Sequence, residues 1–374
     1  MIVSVREILF VVGEASGDLH AGKVAEEIAR RRPDIAMAGI GGGYMRKAGV
    51  TILEDVEHLA VMGFVEVLAH VPKHWQLLRM LRTRIATGNV ALVVLLDYPG
   101  FNLKVAEVAR NAGVPVLYYI TPQVWAWGAD RLPKLARLVT KAASILPFEE
   151  ALLRSHGVDA TFVGHPLLDR ATNLPSQAEA RKRVGLPVDG EVLAVFPGSR
   201  RAELGRHLVP FVATAQELVR RRPGLEVIVS VAPTVKIDPA DCPFPLVHGS
   251  SFDVLRAATA GLLKSGTTTL EAAVAGLPHV IGYRTSPITY RIARRVVKIP
   301  HIGLVNVVAQ RLVSPEFVQD AFQPDIVADA LEPLLTVGSA ARAAAELGLA
   351  EVRGSLGTPG AAERVATMAL DLLE

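Results

Sequence analysis

Residues 91–102 read ALVVLLDYPGFN. Six apolar residues run without interruption into a carboxylate, Asp97, and Pro99-Gly100 then turns the chain towards a helical pattern. A run this apolar is a strand covered on both faces, the environment of a parallel sheet clothed by helices. The same alternation of short apolar run, small-residue loop and amphipathic stretch extends in both directions. Strands are expected at 8–12, 35–40, 91–96, 114–119, 143–146 and 161–163, and then at 192–196, 225–231, 244–247, 261–264 and 279–283. The fold class is therefore α/β, with two facing Rossmann-like parallel-sheet domains. Segment 164–190, which carries Pro166, Pro175 and Pro187 and no strand-like run, marks the boundary between them. Beyond Gln323 the pattern is almost wholly helical. The expected division is 1–166, 167–350 and a C-terminal helix at 351–374, which either packs back on the first domain or swaps into a partner.

Composition supports two core-forming domains and excludes several classes of function. At roughly 150 residues per domain, 374 residues make about two and a half. Half are hydrophobic and 21% are charged, with 31 Gly and 24 Pro spread along the chain, an ordinary globular profile. Lys and Arg exceed Asp and Glu by 40 − 37 = 3, too little to mark a nucleic-acid binder. A single cysteine, Cys242, excludes an internal disulfide and any CxxC site and fits a reducing compartment. Arg6 and Glu7 precede an apolar run of only five residues, too short for a signal-peptide core, and no uninterrupted apolar stretch reaches eighteen.

Parallel sheets bind ligands at the carboxyl ends of their strands, so the loops there carry the argument. The first reads Gly13-Glu14-Ala15-Ser16-Gly17-Asp18-Leu19-His20: small residues for a sharp turn and three ionisable side chains. Asp18 equally reads as a helix N-cap and Ser16 as a turn residue. Gly17 and Gly22-Lys23 have P-loop spacing, but Val24 stands where a hydroxyl would hold magnesium, so an NTPase is rejected. Gly39, Gly41, Gly42 and Gly43 follow the second strand, with Tyr44 in place of the third glycine of a dinucleotide fingerprint; they support a permissive loop and no more. Asp97 is either an N-cap or an acid/base group, and partial desolvation at the end of so apolar a strand would raise its pKa. Trp125 and Trp127, two of three tryptophans, line a ligand cleft or pack between domains.

The second domain has the clearest anion site. Pro197-Gly198-Ser199-Arg200-Arg201 follows its first strand, and Lys264-Ser265-Gly266-Thr267-Thr268-Thr269-Leu270-Glu271 reads as strand, small-residue loop and helix start. Exposed amides at a helix N-terminus attract phosphate, and Arg200 adds a charge-assisted bond, together a diphosphate pocket. Glu271, about one turn inside that helix, is placed for ribose hydroxyls or is simply a favourable first-turn acid. No metal site is expected: His70 and His74 flank Pro72, which breaks the helix their spacing needs, and no D-x-D occurs. G-x-S-x-G is absent too, which removes the hydrolase nucleophile. Two surfaces point to anionic lipid. One is 59–71, nearly all apolar apart from Glu66 and His70, running into Lys73, Trp75, Arg79, Arg82 and Arg84. The other is Arg291, Arg294, Arg295 and Lys298, four cations on one helical face. A buried helix and a solvated basic face are the alternative.

Taken in order, GEASGD, the glycine cluster, VMGFVEVL, DYPGFN, TPQVWAW, FVGHP, PGSR, KSGTTTLEAAVAGLPHV and LVNVVAQ resemble the lipid-A-disaccharide synthases, over nearly the whole chain. The resemblance implies a GT-B glycosyltransferase of lipopolysaccharide lipid A biosynthesis. It would join UDP-2,3-diacylglucosamine to 2,3-diacylglucosamine 1-phosphate (lipid X) and release UDP and a β-1,6-linked disaccharide. It implies no cofactor and no metal, peripheral work on anionic lipids at the cytoplasmic face of a Gram-negative inner membrane, and a homodimer among the expected partners. Glu14, Asp18 and Asp97 match acidic positions on the acceptor side, with Gly13, Ser16 and Gly17 around them. Gly198, Ser199, Arg200, Ser265, Gly266, Thr267, Thr268 and Glu271 match the UDP side, and Asn306 and Gln310 a later polar motif. Tyr98-Pro99-Gly100 departs from the smaller or acidic residues common there, which leaves the acceptor-side wall open. A β product from an α-linked donor requires one inversion, hence a base; Asp97 leads, followed by Asp18, Glu14 and His20. The nearest rival enzyme is a UDP-N-acetylglucosamine 2-epimerase, and a catalytically silent nucleotide-sugar sensor is the rival of another class.

Overall fold

The computed structural model describes residues 7–58, 71–126, 128–297 and 299–374. Most of the apolar segment 59–71, Trp127 and Lys298 therefore lie outside the described residues. The chain forms two compact units, 1–166 with 357–374 and 167–356. The return to the first unit starts at Gly357 and not at 351, because the helix Ala340–Ser355 continues through that position.

The first unit holds a seven-stranded sheet in the order β3-β2-β1-β4-β5-β6-β7. The strands are β1 Glu7–Val11, β2 Ala36–Gly41, β3 Thr51–Asp55, β4 Val90–Leu96, β5 Val116–Tyr119, β6 Lys141–Ser144 and β7 Ala160–Phe162. All its pairings are parallel. Central β1 and β4 carry Ile8–Val11 and Leu92–Leu96 at 1% exposure or less, which is why they read as unbroken apolar runs. The second unit repeats the plan with six parallel strands, β8 Val192–Phe196, β9 Glu226–Val231, β10 Leu246–His248, β11 Ala260–Lys264, β12 His279–Tyr283 and β13 Glu316–Val318, in the order β10-β9-β8-β11-β12-β13. The fold is GT-B, two Rossmann-like sheets with a helical C-terminal region.

β3 and β13 were not expected. Both are edge strands; β3 has no fully buried residue and β13 is half-buried throughout, so neither carries an apolar run. β6 sits two residues earlier than expected, with Ala142, Ala143 and Ser144 as its buried residues. The last helix, Ala361–Asp371, buries Ala361, Val365, Ala366 and Ala369 completely within the first unit. Arg31, near the end of the helix Ala15–Arg31, reaches Glu363 at 3.2 Å and Thr367 at 2.7 Å, and Arg364 donates to the Val163 carbonyl.

Candidate functional site

In the first unit β1 pairs with both β2 and β4, so the loops after these three strands leave the sheet side by side. Asp18 joins two of them. It is 3% exposed, and its carboxylate accepts the backbone N–H groups of Gly42 (2.7 Å), Tyr44 (2.9 Å) and Met45 (3.1 Å). Those amides open the short helix Gly43–Lys47, where donors lack intrahelical partners, so Asp18 caps that helix from another element. Gly42 is required because a Cβ there would lie 2.9 Å from the carboxylate. Asp18, expected second in line as a base, has its oxygens engaged in holding the glycine turn.

Asp97 is treated differently. The strand's burial stops at Leu96, and Asp97, expected to be partly desolvated there, is exposed. Asp97 and Tyr98 occupy consecutive left-handed conformations, φ +44° and +47°. For residues with side chains each costs about 1–3 kcal/mol and persists only when its surroundings enforce it. Here the buried Tyr118 hydroxyl donates to the Asp97 carbonyl at 2.5 Å, and Asn102 Nδ2 donates to the carbonyls of Asp97 (2.8 Å) and Leu96 (3.0 Å). Burial, then the Asp97 charge, push the Tyr118 hydroxyl well above its ordinary pKa, so it remains a donor. Tyr98 lies across Gly13, where a Cβ would fall 2.3 Å from its ring, and packs with His74 and Phe101. Glu14 is the exposed N-cap of the helix Ala15–Arg31 and accepts from Ser16 Oγ at 2.5 Å; Gly17 is buried against Val12. His20 is half-buried, and together with burial its proximity lowers the pKa of His165 to about 3. Trp125 donates to Glu149 at 3.0 Å and stands edge-on to Phe148, an internal anchor that leaves its indole N–H engaged.

In the second unit β8 pairs with β11, bringing the turns at Gly198 and Gly266 together. Arg200 is the N-cap of the helix Arg201–Arg221 with its side chain 73% exposed, and Ser199 offers its carbonyl to Thr234. Thr267 and Thr268 open the helix Thr268–Ala275, Thr267 exposed and Thr268 half-buried. Ser265 donates to the Ile302 carbonyl at 2.7 Å. Glu271 is bonded to Arg170 at 2.9 Å, so the guanidinium holds one of its oxygens; Arg170 itself lies over the Phe252 ring. Asn306, expected as a substrate ligand, is engaged within the protein. It is fully buried, donates to Ser314 O and Glu316 Oε1, and accepts from the N–H groups of Val313 and Ser314, which exhausts the capacity of an amide. Gln310 is exposed at the end of the helix Leu304–Ala309, at φ +53°.

Sequence reasoning missed Tyr118, Glu149, Arg170 and Glu203 as members of these clusters, and took in Lys264 only as the end of a strand. The available signal was weak: Glu203 stands three residues after Arg200, Lys264 ends a strand, and Arg170 follows FVGHP by four. Of the two lipid surfaces, Lys73 is tied to Glu54 and Arg84 to Glu7, whereas Trp75, Arg79 and Arg82 are exposed.

A family model described as lipid-A-disaccharide synthetase matches residues 8–356. Lipid-A-disaccharide synthases of Geobacter metallireducens and of Anaeromyxobacter sp. (strain K) are 40% and 41% identical, over 98% of this chain and 97% of their own. Among solved structures, a kitacinnamycin glycosyltransferase is 16% identical with TM-score 0.66, covering 98% of this chain and 99% of its own. The UDP-GlcNAc 2-epimerase of Neisseria meningitidis bound to UDP-GlcNAc is 13% identical with TM-score 0.64, covering 98% and 100%. At those identities the likeness is one of fold.

Proposed function

The chain belongs to the lipid-A-disaccharide synthase family and is a glycosyltransferase of lipid A disaccharide synthesis; from that premise we propose its reaction. UDP-2,3-diacylglucosamine is the donor, 2,3-diacylglucosamine 1-phosphate the acceptor, and the anomeric carbon is inverted to give the β-1,6 disaccharide phosphate and UDP. The observation that carries this reading is Asp97, an exposed carboxylate on a turn held left-handed by Tyr118 and Asn102. A base that takes the acceptor hydroxyl's proton must present its carboxylate outward in a fixed direction, and a positioned base contributes about 10²- to 10⁴-fold. Glu14 and His20 are the further ionisable groups of this loop cluster, and Asp18 serves it by holding the glycine turn. The departing diphosphate is received in the second unit by Gly198, Ser199, Arg200 and the 265–268 turn, where preorganised donors stabilise the charge that develops.

The substrates carry acyl chains, and one helix is shaped for a lipid surface. Pro287–Val296 buries no residue; Tyr290 and Ala293 are its half-covered side. The opposite side shows Ile288 (72% exposed), Ile292 (57%) and Val296 (48%) beside Arg291 and Arg295. An ordinary surface helix turns its aliphatic stripe inward, whereas one lying on an anionic leaflet presents aliphatic and cationic residues together. No helix among the described residues is long and apolar enough to cross a membrane. We place the protein peripherally at the cytoplasmic face of the inner membrane.

Mass spectrometry of the product made from UDP-diacylglucosamine and the monosaccharide phosphate tests the reaction. A tetraacyl disaccharide monophosphate is expected, with none from either substrate alone. Conversion of UDP-N-acetylglucosamine to its manno isomer would replace this reading with the epimerase.

A further inference from the structure

Resting on the diphosphate reading above, we propose that Lys264 is a second cationic ligand of the diphosphate beside Arg200, and that Glu203 is the residue that positions it. β8 and β11 run parallel with Phe196 opposite Leu263, so the turns that follow leave the sheet as neighbours. Lys264 is the last residue of β11, and Glu203 lies in the first turn of the helix Arg201–Arg221. Lys264 Nζ and Glu203 Oε1 are 3.1 Å apart, an ion pair that links the two turns from below, with side chains only 17% and 15% exposed.

Both turns close on this pair because each has a glycine in the left-handed half of conformational space, Gly198 at φ +132° and Gly266 at φ +152°. A Cβ on Gly198 would stand 3.2 Å from Glu203 Cβ and 3.5 Å from Lys264 Cδ; one on Gly266 would stand 3.3 Å from Lys264 Nζ. The absent side chains leave the ammonium directly beside the backbone of the Gly266 turn and the lysine's Cδ beside that of the Gly198 turn. An anion gathered by the amides of the Gly266 turn therefore meets the ammonium. An ammonium has three donors, of which Glu203 takes one.

The charges agree with this assignment. Glu203 stands 3.1 Å from Lys264 and 3.9 Å from Arg200, so one carboxylate orients two cations from two loops without cancelling both. Its other oxygen, Oε2, is buried without a hydrogen-bond partner among the described residues, an arrangement that stability alone does not favour. His207, buried nearby, stays neutral because burial and the Lys264 charge lower its pKa to about 4.

Calorimetry with UDP and with uridine, which lacks the phosphates, separates this role from a structural one. Lys264→Met is expected to weaken UDP at least about tenfold, the range of a charge-assisted bond, while uridine affinity holds and Lys264→Arg recovers part of the loss. Glu203→Gln should reduce the UDP-to-uridine ratio by a smaller factor. Should Lys264→Met not fold, acetylation of Lys264 in the unaltered protein replaces it: protection by UDP but not by uridine supports the assignment, and equal labelling in both overturns it. Full UDP affinity in Lys264→Met also overturns it. If Arg200→Ala loses UDP binding while Lys264→Met does not, only the lysine assignment fails; if neither variant loses it, the diphosphate site itself is elsewhere.

Discussion

Asp18, in the first turn of the helix that follows β1, and Asp97, directly after the neighbouring strand β4, differ in that one is buried and the other exposed. Asp18 is 3% exposed and occupied by three amides, whereas Asp97 is exposed and its backbone carbonyl is held by the buried Tyr118 and Asn102. The second unit repeats the contrast: Asn306, in the helix Leu304–Ala309, is wholly consumed by residues 313–316, while Thr267, in the turn after β11, is exposed. A polar residue in these loops is thus of two kinds, one buried and bonded into the scaffold and one left exposed, and residue type does not distinguish them.

The sharpest way to break this contrast is to neutralise the outward carboxylate. Asp97→Asn is expected to lower turnover roughly a hundredfold or more with UDP affinity unchanged, since the loss of a positioned base removes that much and the proposed nucleotide site lies in the other unit. Steady-state kinetics with calorimetry check it, and near-normal turnover removes Asp97 from the role. The converse variant, Arg200→Ala, should weaken UDP by about tenfold or more, as expected for one charge-assisted bond; equal affinities would move the diphosphate away from this turn. Asp18→Ala should instead act on stability, by about 2 kcal/mol, because the amides of Gly42, Tyr44 and Met45 lose their acceptor. Thermal denaturation would register that, and an unchanged melting temperature with lost turnover would restore Asp18 as a base.

A smaller effect is expected from the outward face of the helix Pro287–Val296. Changing Ile288 and Ile292 to Ser should reduce co-sedimentation with anionic vesicles, and binding to them should weaken as salt rises; a protein that never pellets would make this face an ordinary solvated surface. The smallest expected effect is the contribution of one buried histidine to the pH dependence of stability. His279 is fully buried between the Leu277 carbonyl and Ser314 Oγ, and burial lowers its pKa to about 4. A histidine with a depressed folded pKa contributes stability above its ordinary value, and that stability is lost as pH falls towards 4. His279→Gln should therefore melt with a shallower decline between pH 6.5 and 4 than the native chain.

The central strands were legible because burial on both faces leaves a local mark, and the runs 8–12, 91–96 and 192–196 coincide closely with β1, β4 and β8. Edge strands β3 and β13 were not, since a half-exposed edge needs no apolar run. The candidate loops were legible because they follow those strands, but the partner of each polar side chain was not. Lys264 and Glu203 are 61 residues apart, and Glu271 and Arg170 are 101 apart.

From the order of residues alone come the α/β class, the succession of strand and loop, the family resemblance and the short set of loops where chemistry is housed. All of these depend on local periodicity or on motifs that a chain carries whether folded or not. Folding then assigned Asp18 and Asn306 to scaffolding, turned Asp97 outward on a strained turn, joined Lys264 to Glu203 and exposed the isoleucines of the helix Pro287–Val296. Each of these is an outcome of hydrogen-bond partners and covering surfaces contributed by segments distant along the chain, and no local pattern records which distant donor will arrive.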